Sequence, residues 1–91
     1  KYEFTGETKQ WLGRTLHRIR AVADIAAIGV VAGQLGGWIE SEANLSQTGN
    51  AWVSGNARVS DNARVFGNAR VSGNARVSGD AQVFGNARVS D

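Results

Sequence analysis

The sequence predicts an all-β protein wound as a three-sided parallel β-helix. Three observations carry this. From Gly49 the chain repeats every six residues: GNAWVS, GNARVS, DNARVF, GNARVS, GNARVS, GDAQVF, GNARVS, then Asp91. Within each hexad Ala and Val stand two apart, with Trp, Arg or Gln between them. The position after Val is Ser except at Phe66 and Phe84, eighteen residues apart. A fixed short period is the signature of stacked repeats. Six is a multiple of the strand period of two and not of the helical 3.6, so Ala and Val face inward and the residue between them faces outward. Corners fall at Gly55, Gly67, Gly73, Gly79 and Gly85, where glycine accepts turn conformations without a steric penalty. Strands this short, joined by tight corners, must coil. Three hexads per coil place Phe66 directly over Phe84; two do not.

Read from Val53, V-S-G-N-A-R resembles the hexapeptide-repeat signature: an aliphatic residue, a small one, two free positions, a small residue and a free position. The resemblance implies a left-handed parallel β-helix with 18 residues per coil. The hand comes from the resemblance alone, because crossovers in general favour the right hand. The family usually holds Gly, Ala or an acid at the second position, where this chain has Ser or Phe. The segments KYEFTGETK, GRTLHRIRA and LGGWIE…NLS also resemble small bacterial and phage hexapeptide-repeat proteins commonly described as acyltransferases.

Upstream, the hexad pattern loosens. Ser41 to Ser46 matches it, Gln47–Thr48 reads as a two-residue bulge, and Ile28–Gly33 and Leu35–Ile39 also fit. Residues 25–48 are therefore expected to form an irregular first coil ahead of a regular helix over 49–91. A short helix over Val22–Val31 is the alternative, disfavoured by Gly29 and by β-branched Ile28, Val30 and Val31. Residues 1–24 form an N-terminal β cap. Its expected strands are Tyr2–Thr5, Thr8–Leu12 and Thr15–Val22, divided at Gly6 and Gly13. The whole is one domain.

The chain has 91 residues, with no Cys and one His. That excludes a disulfide scaffold, a thiol nucleophile and a histidine-rich metal centre within one chain. Lys+Arg 10 against Asp+Glu 8 leaves a net charge of +2, neither an acidic mimic nor a basic tail. The apolar run Ile25–Gly33 is far shorter than the roughly 20 residues of a membrane span, and it follows a long polar stretch unlike a signal peptide. A cytoplasmic location with no membrane association is expected.

Acyl transfer, which the resemblance implies, needs a general base. The single candidate is His17, in an apparent cap strand with no acidic neighbour; the expectation is a surface or edge-strand histidine, no catalytic residue, no cofactor and no metal. The outward position instead offers binding residues: Trp52–Arg70–Arg88, Arg58–Arg76 and Arg64–Gln82 stack in three rows. Arginine forks suit phosphate, and Trp52 offers a cation–π or base-stacking face. A solvated face with Asn and Ser neighbours is the plainer reading of the same rows. Asn50, Asn56, Asn68, Asn74 and Asn86 are expected to form amide ladders. Phe66 and Phe84 make an outward apolar patch suited to a protein contact. The sequence stops in mid-pattern, so either it is a piece of a longer repeat or Val89 and Asp91 lie at an edge covered by another copy.

The favoured function is thus a non-enzymatic, self-associating scaffold or binding protein of phage or mobile-element type. One version inhibits a bacterial defence system, in the manner of an anti-CRISPR protein, by gripping a protein or a nucleotide. The alternatives are a minimal acyltransferase-like enzyme and a phosphate- or nucleic-acid-binding module using the arginine rows.

Overall fold

The computed structural model describes residues 1–90; Asp91, expected as a contact position beside Val89, lies outside the described residues. Its strands are β1 (Tyr2–Trp11), β2 (Arg14–Ala21), β3 (Leu35–Ile39), β4 (Trp52–Val53), β5 (Arg58–Val59), β6 (Arg64–Val65), β7 (Arg70–Val71), β8 (Arg76–Val77), β9 (Gln82–Val83) and β10 (Arg88–Val89). Single 3-10 turns span Ala26–Ile28 and Glu42–Asn44, and no α-helix occurs among the described residues. Among the described residues no helix is long and apolar enough to cross a membrane.

Each regular strand lies parallel to the strand 18 residues further on. Trp52 pairs with Arg70 and Arg70 with Arg88; Arg58 pairs with Arg76; Arg64 pairs with Gln82. Three parallel ladders result: β4-β7-β10, β6-β9 and β3-β5-β8, the last continued by antiparallel β2 and β1 into a five-stranded sheet ordered β1-β2-β3-β5-β8. The first turn has a longer step. Trp38 pairs with Arg58 and Leu45 with Val65, which is the regular step plus the Gln47–Thr48 insertion.

Inside runs a narrow core. Ala51, Ala57, Ala63, Ala69 and Ala75 are buried, as are Val53, Val59, Val65, Val71, Val77 and Val83. At the corners the backbone stacks closely enough to require glycine: a Cβ on Gly49 would sit 2.7 Å from the Gly67 carbonyl oxygen, and φ there is +70°. Asp61 holds the corresponding left-handed corner at φ 59° without being glycine. Its carboxylate is held by the Gly79 N–H at 3.0 Å and by the Arg14 guanidinium.

The N-terminal segment departs from the expected three strands. Gly6 lies within β1, where the register slips between Phe4 and Thr8. A glycine at φ 93° forms a bulge there and the strand continues through it. Leu12 and Gly13, both at positive φ, make the turn into β2. β2 then pairs antiparallel with β3, covering the edge of the parallel strands β3-β5-β8.

Ile28–Gly33 fits the hexad signature in sequence but forms no coil face. Ile25 and Val30 exchange backbone hydrogen bonds across the Ala26–Ile28 turn, and Gly29 (φ 73°) reverses the chain. Ile25 and Val30 enter the core, while Val22, Val31 and Leu35 stay exposed. The helical alternative over Val22–Val31 amounts to that single turn.

Candidate functional site: a cation–indole face

Strand pairing brings the outward residues of four neighbouring strands into one line. Arg18 on β2 lies beside Trp38 on β3, Trp38 beside Arg58 on β5, and Arg58 beside Arg76 on β8. The hairpin adds two residues from β1. Lys9 Nζ sits 4.2 Å from the centroid of the Trp38 ring, and the Arg18 guanidinium 5.3 Å from it. Trp11 takes the guanidinium groups of Arg58 and Arg76 at 5.2 and 5.4 Å. Four cations are therefore laid on two indoles, within the range of favourable cation–π attraction.

These cations are held in place and lack counter-charges. The Arg18 Nε donates to the Gly36 carbonyl at 2.9 Å. Arg58 Nε and Trp38 Nε1 are buried without a hydrogen-bond partner. Burial first, then the charges of Arg58 and Arg18, hold the Lys9 ammonium below the usual lysine range against the pull of Glu7. The nearby acids are engaged elsewhere. Arg14 Nη1 bonds both carboxylate oxygens of Glu40 at 3.1 Å, its Nη2 contacts Asp61, and Glu40 also accepts from the Asp61 N–H at 2.7 Å. Among the described residues, Lys9, Arg18, Arg58 and Arg76 form no ion pair.

The other expected site residues are divided among the remaining faces. Trp52 corrects the expectation of an outward stacking platform. It is only 2 % exposed and belongs to the core cluster. Glycine at position 36 lets the indole approach; a Cβ there would meet the ring at 2.8 Å. Trp52 thus offers no face to a ligand. Below it Arg70 and Arg88 line a groove of about 280 Å³ with Asn50, Asn68, Asn86, Ala27 and Ile28. Asn50 donates to Asn68 and Asn68 to Asn86, at 3.2 and 3.4 Å; Asn62 donates to Asp80 at 3.2 Å. No such bond joins Asn56 to Asn74 among the described residues, so one expected ladder lacks its rung. Ser60 is buried.

On the third ladder Phe66 and Phe84 stack at 5.4 Å with an interplanar angle of 11°. The eighteen-residue alignment thus places both rings on one side. Phe84 is 56 % exposed. Phe66, Arg64 and Gln82 line a groove of about 400 Å³ with Glu42 and Gln47 on its rim. Val89 packs partly buried against the core. His17 is not on an edge strand, because β2 runs between β1 and β3. It is half-buried and stacks on Phe4 at 4.4 Å, and it lines neither groove.

Sequence reading alone missed Lys9, Trp11, Arg18 and Trp38 as members of a site. One signal was available: Trp38 occupies the arginine position of the loose repeat Leu35–Ile39, so it extends the Arg58–Arg76 row backward. Nothing local shows that β1 will lay Lys9 and Trp11 over that row.

No characterised protein matches the chain in sequence comparison. Residues 51–65, 57–71, 69–83 and 81–91 match the family described as YdcK beta solenoid repeat. That match places the repeat segment, residues 51–91, among β-solenoid repeats.

Proposed function

We propose that the protein is a non-enzymatic, self-associating scaffold, built as a left-handed β-helix with three faces. The three parallel ladders, the 18-residue step and the V-S-G-N-A-R signature support that architecture. The observation that carries self-association is the Phe66–Phe84 stack beside the 400 Å³ groove. Elsewhere the same repeat position holds serine, so the two rings are a local departure that places apolar area in water. The groove rim carries Arg64 and Glu42. In a two-fold contact, each copy presents the same patch to the other. One copy's phenylalanine pair then enters the other's groove, with Arg64 of one opposite Glu42 of the other.

Light scattering at about 10 μM is expected to show a dimer or larger assembly. Buried aromatic anchors dominate such contacts, so Phe66→Ser with Phe84→Ser, which restores the repeat's own residue, yields a monomer with an unchanged circular dichroism spectrum. A wild-type monomer overturns the reading. Acetyl-coenzyme A is expected to leave the melting temperature unmoved; stabilisation that vanishes in His17→Ala would instead favour the acyltransferase alternative.

A further inference from the structure

We infer that the cation–indole face of the five-stranded sheet binds a single-stranded nucleic acid. The inference goes beyond self-association and uses a different face of the molecule. Its basis is the line Arg18–Trp38–Arg58–Arg76 across four strands, with Lys9 and Trp11 laid against it by the hairpin.

Three physical features point to a phosphodiester chain. The first is the uncompensated charge. Four cations share a small area, and among the described residues no acid is paired to them; burial first, and then the charges of Arg58 and Arg18, hold the Lys9 ammonium below its usual range. An anion laid on the row offsets those charges. The second is length. Three strand steps of about 4.8 Å carry the row over about 14 Å. One strand of stacked duplex rises about 3.4 Å per phosphate, so a row of this length meets several consecutive phosphates. The third is bracing. A basic groove that tracks the backbone is one part of a single-strand site, and here its cations are supported by two indoles, Trp38 buried and Trp11 half-buried. Indoles already stacked with guanidinium groups are rigid, so little side-chain freedom is lost on binding.

The geometry favours a nucleic acid over an acidic protein segment. A phosphodiester carries a charge at every unit, matching a group of closely spaced cations. Guanidinium forks also match phosphate oxygens better than they match one flexible carboxylate at a time. Arg70 and Arg88 lie on another sheet beside the buried Trp52, and among the described residues neither makes a cation–π contact. They serve as the internal control.

The test uses the full chain and a fluorescent oligothymidylate in anisotropy titrations. Wild-type protein is expected to bind at about 50 mM salt, with log affinity falling linearly against log salt. Lys9→Gln with Arg76→Gln changes two side chains that are not buried, and circular dichroism checks the fold. This variant is expected to lose affinity on the order of tenfold, and its salt slope to fall by about 1.4, the value of two phosphate contacts. Arg70→Gln with Arg88→Gln is expected to shift affinity less than about twofold. Polyglutamate is expected to compete poorly. Absence of binding at low salt overturns the inference. So does equal weakening by the two variants, or polyglutamate binding as tightly as the oligonucleotide. Binding that survives in Phe66→Ser with Phe84→Ser is expected, which separates this site from self-association.

Discussion

Asn44 shows how much one side chain carries when strands are two residues long. It is 1 % exposed. Its Oδ1 accepts from the N–H groups of Glu40 and Ser41 at 3.1 and 2.8 Å, and its Nδ2 donates to the carbonyls of Ala63 and Asp61 at 2.9 and 3.3 Å. The irregular first turn cannot supply those partners from a regular ladder, so one amide supplies them. The hexad pattern puts this position outside, yet the Glu42–Asn44 turn brings it in. Asn44→Ala leaves several buried backbone groups unpaired and is expected to cost about 3 kcal/mol. Urea denaturation measures it; a loss below about 1 kcal/mol shows that water replaces the amide. Trp52 is the converse case, an outward repeat position made part of the core by the glycine at 36.

At the scale of elements, the hairpin is joined to the solenoid by the β2–β3 ladder and by specific side-chain ties at both ends. Arg14 reaches Glu40 and Asp61 at one end. At the other, the Tyr2 hydroxyl donates to the Leu45 carbonyl at 2.5 Å, with the Glu42 carbonyl at 3.2 Å. Burial, and then the negative charge of Glu42, push the Tyr2 hydroxyl up to about 12. The unfolded chain ionises tyrosine near 10. A raised folded-state value means the contribution is complete below about pH 10 and is lost as pH climbs through about 12. The wild type is therefore expected to lose stability across that window, and Tyr2→Phe to be less stable at neutral pH but flatter between pH 10 and 12. Parallel slopes for the two proteins would show that Tyr2 does not titrate in the folded state.

For the whole molecule, stability runs along a single axis. Each coil touches only its neighbours, so a core residue is worth what the coils on either side of it bury. Val59 is fully buried between β3 and β8. Val89, on the last described strand, is only partly buried. Val59→Ala removes about two methylene equivalents and leaves a cavity, an expected cost of about 2 kcal/mol. Val89→Ala is expected to cost less than about 1 kcal/mol because the side chain is only partly buried. Thermal denaturation of the two variants separates them; equal losses would show that burial does not set the cost along the axis.

Much of this was legible in the residues. The hexads determined where Ala and Val go, the spacing of Phe66 and Phe84 set the eighteen-residue step, and Gln47–Thr48 marked the longer first turn. These are local: a period of two, a corner every six residues and a side chain too large to misplace settle them without reference to the rest of the chain. The tertiary structure decided what happens where the period fails. Gly6 became a bulge instead of a break, Ile28–Gly33 folded back on itself, Trp52 was buried, and β1 carried Lys9 and Trp11 across to Arg58 and Arg76. Those outcomes depend on contacts between segments far apart in sequence, whose relative placement is set by packing and by a hairpin register that no local pattern encodes.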